Sequence, residues 1–543
     1  MKKGIKFLIK FLVALVIVFV AYYITLPAIN IHSGSFWAFL MLLLVVLIVL
    51  SVIRKIRKQD VIIDKSDIKG FIKQAKMVKF LLAVLIVVVL VYIGGSILSS
   101  PIVNASKYQK LLTIEERNFT ADITEADYNT IPLLDKESAS LLGNRKMGSL
   151  VDMVSQFEVA DDYTQINFKD QPVRVTPLVY ASGIKWITNQ SKGIPAYIKI
   201  DMATQNTECV MVEGGIKYSK SEFFNRNLYR HLRFNYPTYI FDNQLFFEID
   251  DAGDPYWICP VKKFNIGLFG GQTIGHVLIC NAKTGECTDY KVEDCPQWVD
   301  KVYSAELLTQ LYDYNGALKH GFLNSVLGQK DCLMSTNGYN YIALEDDVWV
   351  YTGVTSVSGD QSNVGFILMN QRTMETRYYK IEGAIEDSAM SSAEGQVQNL
   401  GYQATFPLLL NIANEPTYFM ALKDAAGLVK KYAMVNVQKY QWVAIGDTIQ
   451  ECEKNYNELL STNGIVSQNE EDNKTVSGIV ESISPVVLEG NTHYYICLTG
   501  KTDIYDVDLS NEDLINVVRL KIGDKVTFSY EEAYGLQKVK NIE

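Results

Sequence analysis

Histidine is scarce in this sequence: there are five in 543 residues (His32, His231, His276, His320, His493), and no two stand at metal-ligand spacing. Cysteine is absent from the first 208 residues, and the eight that follow (Cys209, Cys259, Cys280, Cys287, Cys295, Cys332, Cys452, Cys497) contain no C-x-x-C pair. No zinc framework is therefore expected. There is no Walker sequence, no G-x-G-x-x-G after a strand, no H-E-x-x-H and no G-x-S-x-G. These absences remove the usual phosphate-cradling, zinc-peptidase and hydrolase signatures, and no cofactor is expected. Acids are nearly missing from residues 1–100, which hold thirteen Lys/Arg against Asp60, Asp64 and Asp67, a net of +10. The whole chain is −10, so residues 101–543 carry −20. A body this acidic repels nucleic acid and anionic polymers, and no nucleic-acid partner is expected.

Three long apolar runs are present: "FLIKFLVALVIVFVAYYITL" (7–26), "FWAFLMLLLVVLIVLSVI" (36–53) and "FLLAVLIVVVLVYIGGSIL" (80–98). Each approaches the ~20 residues needed to cross a bilayer. A cleaved signal peptide is disfavoured for the first, because its apolar run is too long and no A-x-A-like site follows. The loop "ITLPAINIHSGS" has no Lys or Arg, whereas residues 54–79 hold nine and Lys2, Lys3, Lys6 and Lys10 precede or enter the first run. By the positive-inside rule the N-terminus and the 54–79 loop are cytoplasmic. Three spans then place everything after residue 100 outside, where disulfides are permitted.

Residues 101–164 read as a stalk or helical packing layer. From 165 to 460 the texture becomes β-rich, with apolar alternation cut by Asn, Asp and Gly. Three stretches align: "YIKIDMATQNTEC", "VLICNAKTGECTD" and "FILMNQRTMETRY". Each has Asp or Asn (Asp201, Asn281, Asn370), Thr three residues on (Thr204, Thr284, Thr373), then Thr207, Cys287 or Thr376. An Asx side chain that caps its own turn, between two strands, explains the pattern. A helix follows each hairpin in "SKSEFFNRNLYRHLRF", "SAELLTQLYDYN" and "SAMSSAEGQVQNLGY", with Ser as the expected N-cap. "TIQECEKNYNELL" is a closing helix. The expected fold is α+β: a three-helix transmembrane region (1–100), repeated antiparallel strand–turn–strand–helix modules (165–460), a polar linker (461–474) and a small OB-like β-barrel (475–543).

Lys283-Thr284-Gly285 matches the K-T-G element of penicillin-binding proteins, and Ser182 with Lys185 makes S-x-x-K. The sister copies read Ala203-Thr204-Gln205 and Arg372-Thr373-Met374, so the Thr belongs to the turn and no catalytic residue is assigned. Ser182 also lies in a turn-like, β-rich context unlike a helix start. If Asn281 and Glu286 flank a four-residue turn, Cys280 and Cys287 face each other across the hairpin, near but slightly beyond disulfide spacing. They are the candidate disulfide. The other copies place Ile200/Thr207 and Met369/Thr376 there, so the fold does not demand a bridge. The acid clusters "EIDDAGD" (Glu248, Asp250, Asp251, Asp254) and "EDD" (Glu345, Asp346, Asp347) could bind a cation, but "DDAGD" lacks calcium-loop spacing and reads as a solvated hairpin tip, and no metal site is assigned.

The hairpin "VLICNAKTGECTDYKV" resembles the strand–turn–strand core of PepSY-type modules, and the layout resembles membrane-anchored envelope proteins of Gram-positive bacteria. The resemblance covers about 40 residues per copy, with the full turn in the middle copy alone. It implies an exported, membrane-tethered unit that binds envelope proteins, and no catalytic residues. The expected function is thus a non-enzymatic membrane-anchored envelope protein that presents a binding or scaffold surface to an envelope or membrane protein partner. The alternatives are an envelope hydrolase or acyltransferase with a site at a repeat interface, and an accessory subunit of a membrane transport or assembly complex.

Overall fold

The structure is a computed structural model. It describes residues 2–59, 76–125, 131–132, 134–356, 362–465, 474–488, 491–509, 511–533 and 536–542. The chain divides into two compact units, Met1–Tyr456 and Asn457–Glu543, with the boundary inside one helix.

The first unit opens with three helices, α1 (Lys2–Thr25), α2 (Gly34–Gln59) and α3 (Lys76–Leu98). Two segments among the described residues, Gly34–Lys55 and Lys76–Leu98, are long and apolar enough to cross a membrane; the described apolar part of α1, Phe11–Thr25, is shorter. Much of the 54–79 loop read as cytoplasmic, residues 60–75, lies outside the described residues. The other ends of the helices are tied to the body. Arg233 donates through Nε to the Leu26 carbonyl at 3.0 Å, Asn30 donates to the Thr238 carbonyl at 2.9 Å, and His32 Nδ1 lies 2.8 Å from the Leu268 carbonyl. The Ser99 hydroxyl accepts from the Leu268 and Phe269 amides at 2.8 and 3.2 Å.

Four sheets form most of the described body, each built on an antiparallel meander of four strands in chain order; a two-stranded ribbon, Ser362–Asn363 with Gly383–Ala384, stands beside them. Sheet I holds β1 (Thr164–Phe168), β2 (Gln171–Tyr180), β3 (Ile194–Asp201) and β4 (Thr207–Ile216). Sheet II holds β5 (Phe246–Ile249), β6 (Pro255–Ile266), β7 (Gly270–Asn281) and β8 (Cys287–Lys291). Sheet III holds β9 (Asn340–Leu344), β10 (Asp347–Ser356), β11 (Gly365–Asn370) and β12 (Thr376–Tyr379). Sheet IV holds β13 (Leu408–Ile412), β14 (Glu415–Lys423), β15 (Val429–Asn436) and β16 (Val443–Gly446). The first two strands of sheets I, III and IV join through two left-handed residues, Lys169-Asp170, Glu345-Asp346 and Ala413-Asn414, the geometry that matches strand twist in a tight hairpin.

The turn that ends the third strand is built alike in all four sheets. Asp201, Asn281 and Asn370 each accept, through Oδ1, from the amides two and three residues on, at 2.7–3.0 Å. The Thr204, Thr284 and Thr373 hydroxyls each accept from the amide two residues further on. Asn436 does the same for Gln438 and Lys439 at 3.1 and 2.9 Å, a fourth case with one more residue in the loop and no Thr. The residue after each Asx donates its amide to a carbonyl at the start of strand two: Met202 to Pro172, Ala282 to Pro255, Gln371 to Val348, Val437 to Pro416. The carbonyls of Ala282, Gln371 and Val437 accept in turn from amides at 217–218, 302–303 and 384, each in the segment between the last strand of the preceding sheet and the helix that follows it. Each sheet is thereby latched to the next.

A helix follows each meander: α6 (Leu228–Asn235), α7 (Ala305–Ala317), α8 (Glu386–Gln396) and α9 (Ile449–Thr462). The expected serine caps hold for α7, where Ser304 accepts from the Leu307 amide. They fail for α6, capped by Asn227, and for α8, which starts ahead of Ser388 at Glu386. Sheet II is buried on both faces: Trp257, Cys259 and Leu278 pack toward sheet I, while Ile258, Val277 and Ile279 pack toward α7 and the Val350, Ile367 and Met369 side chains of sheet III. The described parts of residues 101–164 are woven into the body as a packing layer rather than standing apart as a stalk. Within them α4 (Pro101–Gln109) sets Tyr108 edge-on against Tyr314 with ring centres 4.8 Å apart, Glu115–Arg117 pairs parallel to β12, and α5 (Lys136–Gly148) buries Ala139 and Met147 against sheet I. The N-cap of α5, Asp135, bonds Lys423 of sheet IV, and Asn411 of sheet IV donates to the Ile123 carbonyl at 2.8 Å. This segment connects the last sheet to the first.

The second unit is a ring of five strands: β17 (Lys474–Leu488), β18 (Asn491–Leu498), β19 (Ile504–Asp508), β20 (Lys525–Ala533) and β21 (Leu536–Ile542), in the order β17-β18-β19-β21-β20, with β20 returning to β17. A 3-10 helix, Glu512–Arg519, contributes Leu514 and Val517 to a core with Ile496, Tyr505 and Phe528. Most of the expected linker, residues 466–473, lies outside the described residues.

Candidate functional site

Each meander's first strand is broken in two. Phe157–Val159, Leu333–Ser335 and Gln403–Ala404 pair with the far ends of β2, β10 and β14, and Phe241 bridges Val261 of β6. At each break one amide still reaches strand two: Ala160 to Pro177, Asp242 to Pro260, Thr336 to Gly353 and Thr405 to Ala421. The residues that follow these amides leave the ladder, and all four breaks face one cavity of 630 Å³. Its walls include Tyr163, Gln244, Tyr339, Tyr341 and Phe406, one or more from each sheet. A volume of this order is typical of small-molecule sites.

Charge on the walls is unevenly paired. Asp135 is pushed up by burial but held below the usual carboxylate range by Lys423 and by the Ser138 amide it caps. Asp162 pairs with Lys220 at 3.0 Å, and that ammonium also donates to the Leu245 carbonyl. Glu306, in the first turn of α7, accepts from the Tyr339 hydroxyl at 2.8 Å and from Gln244 at 3.2 Å. Burial, then Tyr341 and Glu306, push the Tyr339 phenol up. Arg174 on β2 and Lys301, just before α7, are each 5% exposed. Arg174 donates to the Leu134 carbonyl and to Gln165, both at 3.3 Å, and burial lowers its pKa. The Lys301 ammonium lies 4.1 Å from the Tyr341 ring centre and 5.8 Å from that of Phe246. Among the described residues neither cation has a carboxylate at ion-pair distance.

Beside Lys301 is a buried carboxyl pair. Glu248 accepts from the Asp300 and Lys301 amides at 3.0 Å each, and Asp300 accepts from the Asn167 amide at 2.7 Å. Burial raises Glu248 to about 7 and raises Asp300 well above the carboxylate range. A second cavity, of 280 Å³, lies toward the other ends of these first strands, beside Asn167, Asp170, Glu345, Asp346 and Asn411.

The residues singled out from sequence lie elsewhere. Ser182 caps a helix, Gly183–Asn189, accepting from the Lys185 amide at 3.4 Å. The turn-like context expected there is therefore a helix start, brought about by that cap. Lys283 pairs with Asp254 at 2.5 Å, and Arg372 makes the equivalent pair with Asp347 at 2.7 Å. The K-T-G lysine thus has a partner set by its sheet. Cys280 and Cys287 form a disulfide across the hairpin, with Cα atoms 4.0 Å apart, as the pair next outward from Asn281 and Glu286, which close the turn. Ile200/Thr207 and Met369/Thr376 occupy the same register. The acidic runs make hairpin tips only in part: Asp250 accepts from the Ala252 and Asp254 amides and Glu345 pairs with Arg377 at 2.8 Å, whereas Glu248 and Asp347 are buried in their strands. Among the described residues no group of three His, Cys, Asp or Glu is placed to hold a metal.

Arg174, Asp300, Lys301 and Glu306 escaped the sequence reading, and Glu248, taken there with the acidic run "EIDDAGD", is not part of an exposed tip but is wholly buried in β5. A signal existed for two of them, since "PVRVTPLVY" and "LFFEI" each put one charge inside an apolar strand, where a charge is costly without a local purpose. No family model matches the chain, and no curated protein matches it.

Proposed function

We propose that the protein is a non-enzymatic, membrane-anchored envelope protein whose four-sheet body stands outside the cell as a binding or scaffold domain. On this reading α1, α2 and α3 all span the membrane, the sheets are PepSY-like modules, and the terminal ring of strands is an OB-like barrel. One observation carries it. The C-terminal end of α1, the N-terminal end of α2 and the C-terminal end of α3 all seat on the body. The opposite helix ends are the ones flanked by Lys2, Lys3 and Lys6, by Arg54 to Lys58, and by Lys76 and Lys79. A body joined to the unflanked ends lies on the side the positive-inside rule calls external. Aromatic rings gather at the same ends (Tyr22 and Tyr23 with Phe234, Trp37 and Tyr92 with Phe269), as expected at a membrane–water boundary.

Protease added to intact protoplasts is the test. The body beyond residue 100 should be digested while the three helices are retained. Protection of the body sinks the proposal. Cross-linking in intact envelopes, followed by identification of the captured proteins, then names the partner. A fluorophosphonate or penicillin probe that labels the chain, with labelling abolished by Ser182→Ala, would favour the acyltransferase alternative; the Asp254 partner that holds the Lys283 ammonium speaks against it.

A further inference from the structure

The central cavity holds two buried cations, Arg174 and Lys301, with no carboxylate at ion-pair distance among the described residues; the attraction of Arg174 to Asp135, and of Lys301 to Glu248 and Asp300, acts at longer range. Arg174 uses two of the five N–H donors of a guanidinium, both on neutral acceptors. The Lys301 ammonium faces the Tyr341 and Phe246 rings, which stabilise a cation but supply no counter-charge. The acids on the same wall are engaged elsewhere: Asp135 by Lys423, Asp162 by Lys220, Glu306 by Tyr339 and Gln244. The carboxyl of Glu248 is spent on two backbone amides, the Lys301 amide among them, rather than on its ammonium. A buried cation without a counter-ion is costly, so a site keeps one where an anion arrives to meet it. A guanidinium fork suits the flat or trigonal oxygens of carboxylate and phosphate.

We propose that this cavity binds a small organic anion, with its carboxylate or phosphate between Arg174 and Lys301 and its ring or apolar part against Tyr339, Tyr341 and Phe406. The inference rests on the body being a binding domain but not on its side of the membrane, so a failed protease test leaves it standing.

Ligand-observed NMR on the full chain in detergent micelles, with empty micelles as blank, tests it with benzoate, phenyl phosphate and neutral benzyl alcohol. One or both anions should bind and the alcohol should not; whichever anion binds more tightly assigns the head group as carboxylate or phosphate ester. Lys301→Gln should weaken anion binding at least tenfold. Arg174→Gln should do the same, read only if its melting temperature shows a folded body, and Lys301→Gln carries the test if it does not. Binding of neither anion, equal binding of the alcohol, or unchanged anion binding by Lys301→Gln overturns the proposal.

Discussion

At position 285 the backbone takes φ +78°, yet Gln205 and Met374 take +63° and +67° at the same place in their turns. Conformation alone therefore does not demand glycine. The Tyr218 ring does: a Cβ on Gly285 would lie 2.3 Å from its Cζ, and the ring is braced by His231 at 4.6 Å, which also meets the Gly285 carbonyl at 2.7 Å. Gly285→Ala should cost about 1–3 kcal/mol by overpacking, measured as a shift in melting temperature. In a Tyr218→Ala background the same change should cost only the ~1 kcal/mol of a left-handed non-glycine residue. The Glu248–Asp300 pair makes a different residue-scale prediction. A carboxyl whose proton is held more tightly in the folded chain than in the unfolded one favours folding at low pH. Its stabilisation is full below the ordinary glutamate value of 4.5 and is lost as pH rises through about 7. The carboxyls held low, such as Asp135 and Glu345, act below that window with opposite sign. Between pH 5 and 8 the melting temperature should therefore fall, and Glu248→Gln should flatten the fall. A rise over that range would contradict the assignment.

At the scale of elements, the equivalent pairs Lys283–Asp254 and Arg372–Asp347 separate surface from interior. The Asp254 side chain is 45% exposed and the Asp347 side chain 7%. Lys283→Ala should cost under about 1 kcal/mol. Arg372→Ala should cost about 3–5 kcal/mol, because it strands a buried carboxylate that also holds Asn370. Thermal unfolding of the two variants side by side gives the contrast. The turn geometry behind these pairs was open to sequence reading because an Asx cap and a Thr acceptor are local and repeat at fixed spacing. The fourth turn was hidden: Asn436-Val437-Gln438-Lys439 has the Asx but a longer loop and Lys in place of Thr, so its pattern breaks while its hydrogen bonds do not. The cavity was hidden for another reason. Its wall comes from breaks in four strands between Asp162 and Phe406, and no local period marks a residue that leaves a ladder to face an axis formed by distant sheets.

For the molecule as a whole, the Cys280–Cys287 bond links fold to compartment. The other six cysteines are free; Cys259, Cys295, Cys332 and Cys452 are buried, and Cys209 and Cys497 are half-buried. Burial pushes the Cys259 and Cys295 thiols up, which keeps them unreactive. Sheets I and III hold the same hairpin with Ile200/Thr207 and Met369/Thr376, so sheet II gains stability from the bond without depending on it. A loop this short is worth about 2 kcal/mol in the chain-entropy account, and the Cys280→Ala, Cys287→Ala double variant should fold with a melting temperature lowered accordingly. A persistent bond of this kind needs an oxidising compartment. Protein taken from cells under acid quench, denatured without reductant and treated with a maleimide polymer should therefore gain six adducts, against eight after reduction. Eight adducts without reductant would mean the pair is reduced in the cell, and would remove the redox support for a body outside the membrane.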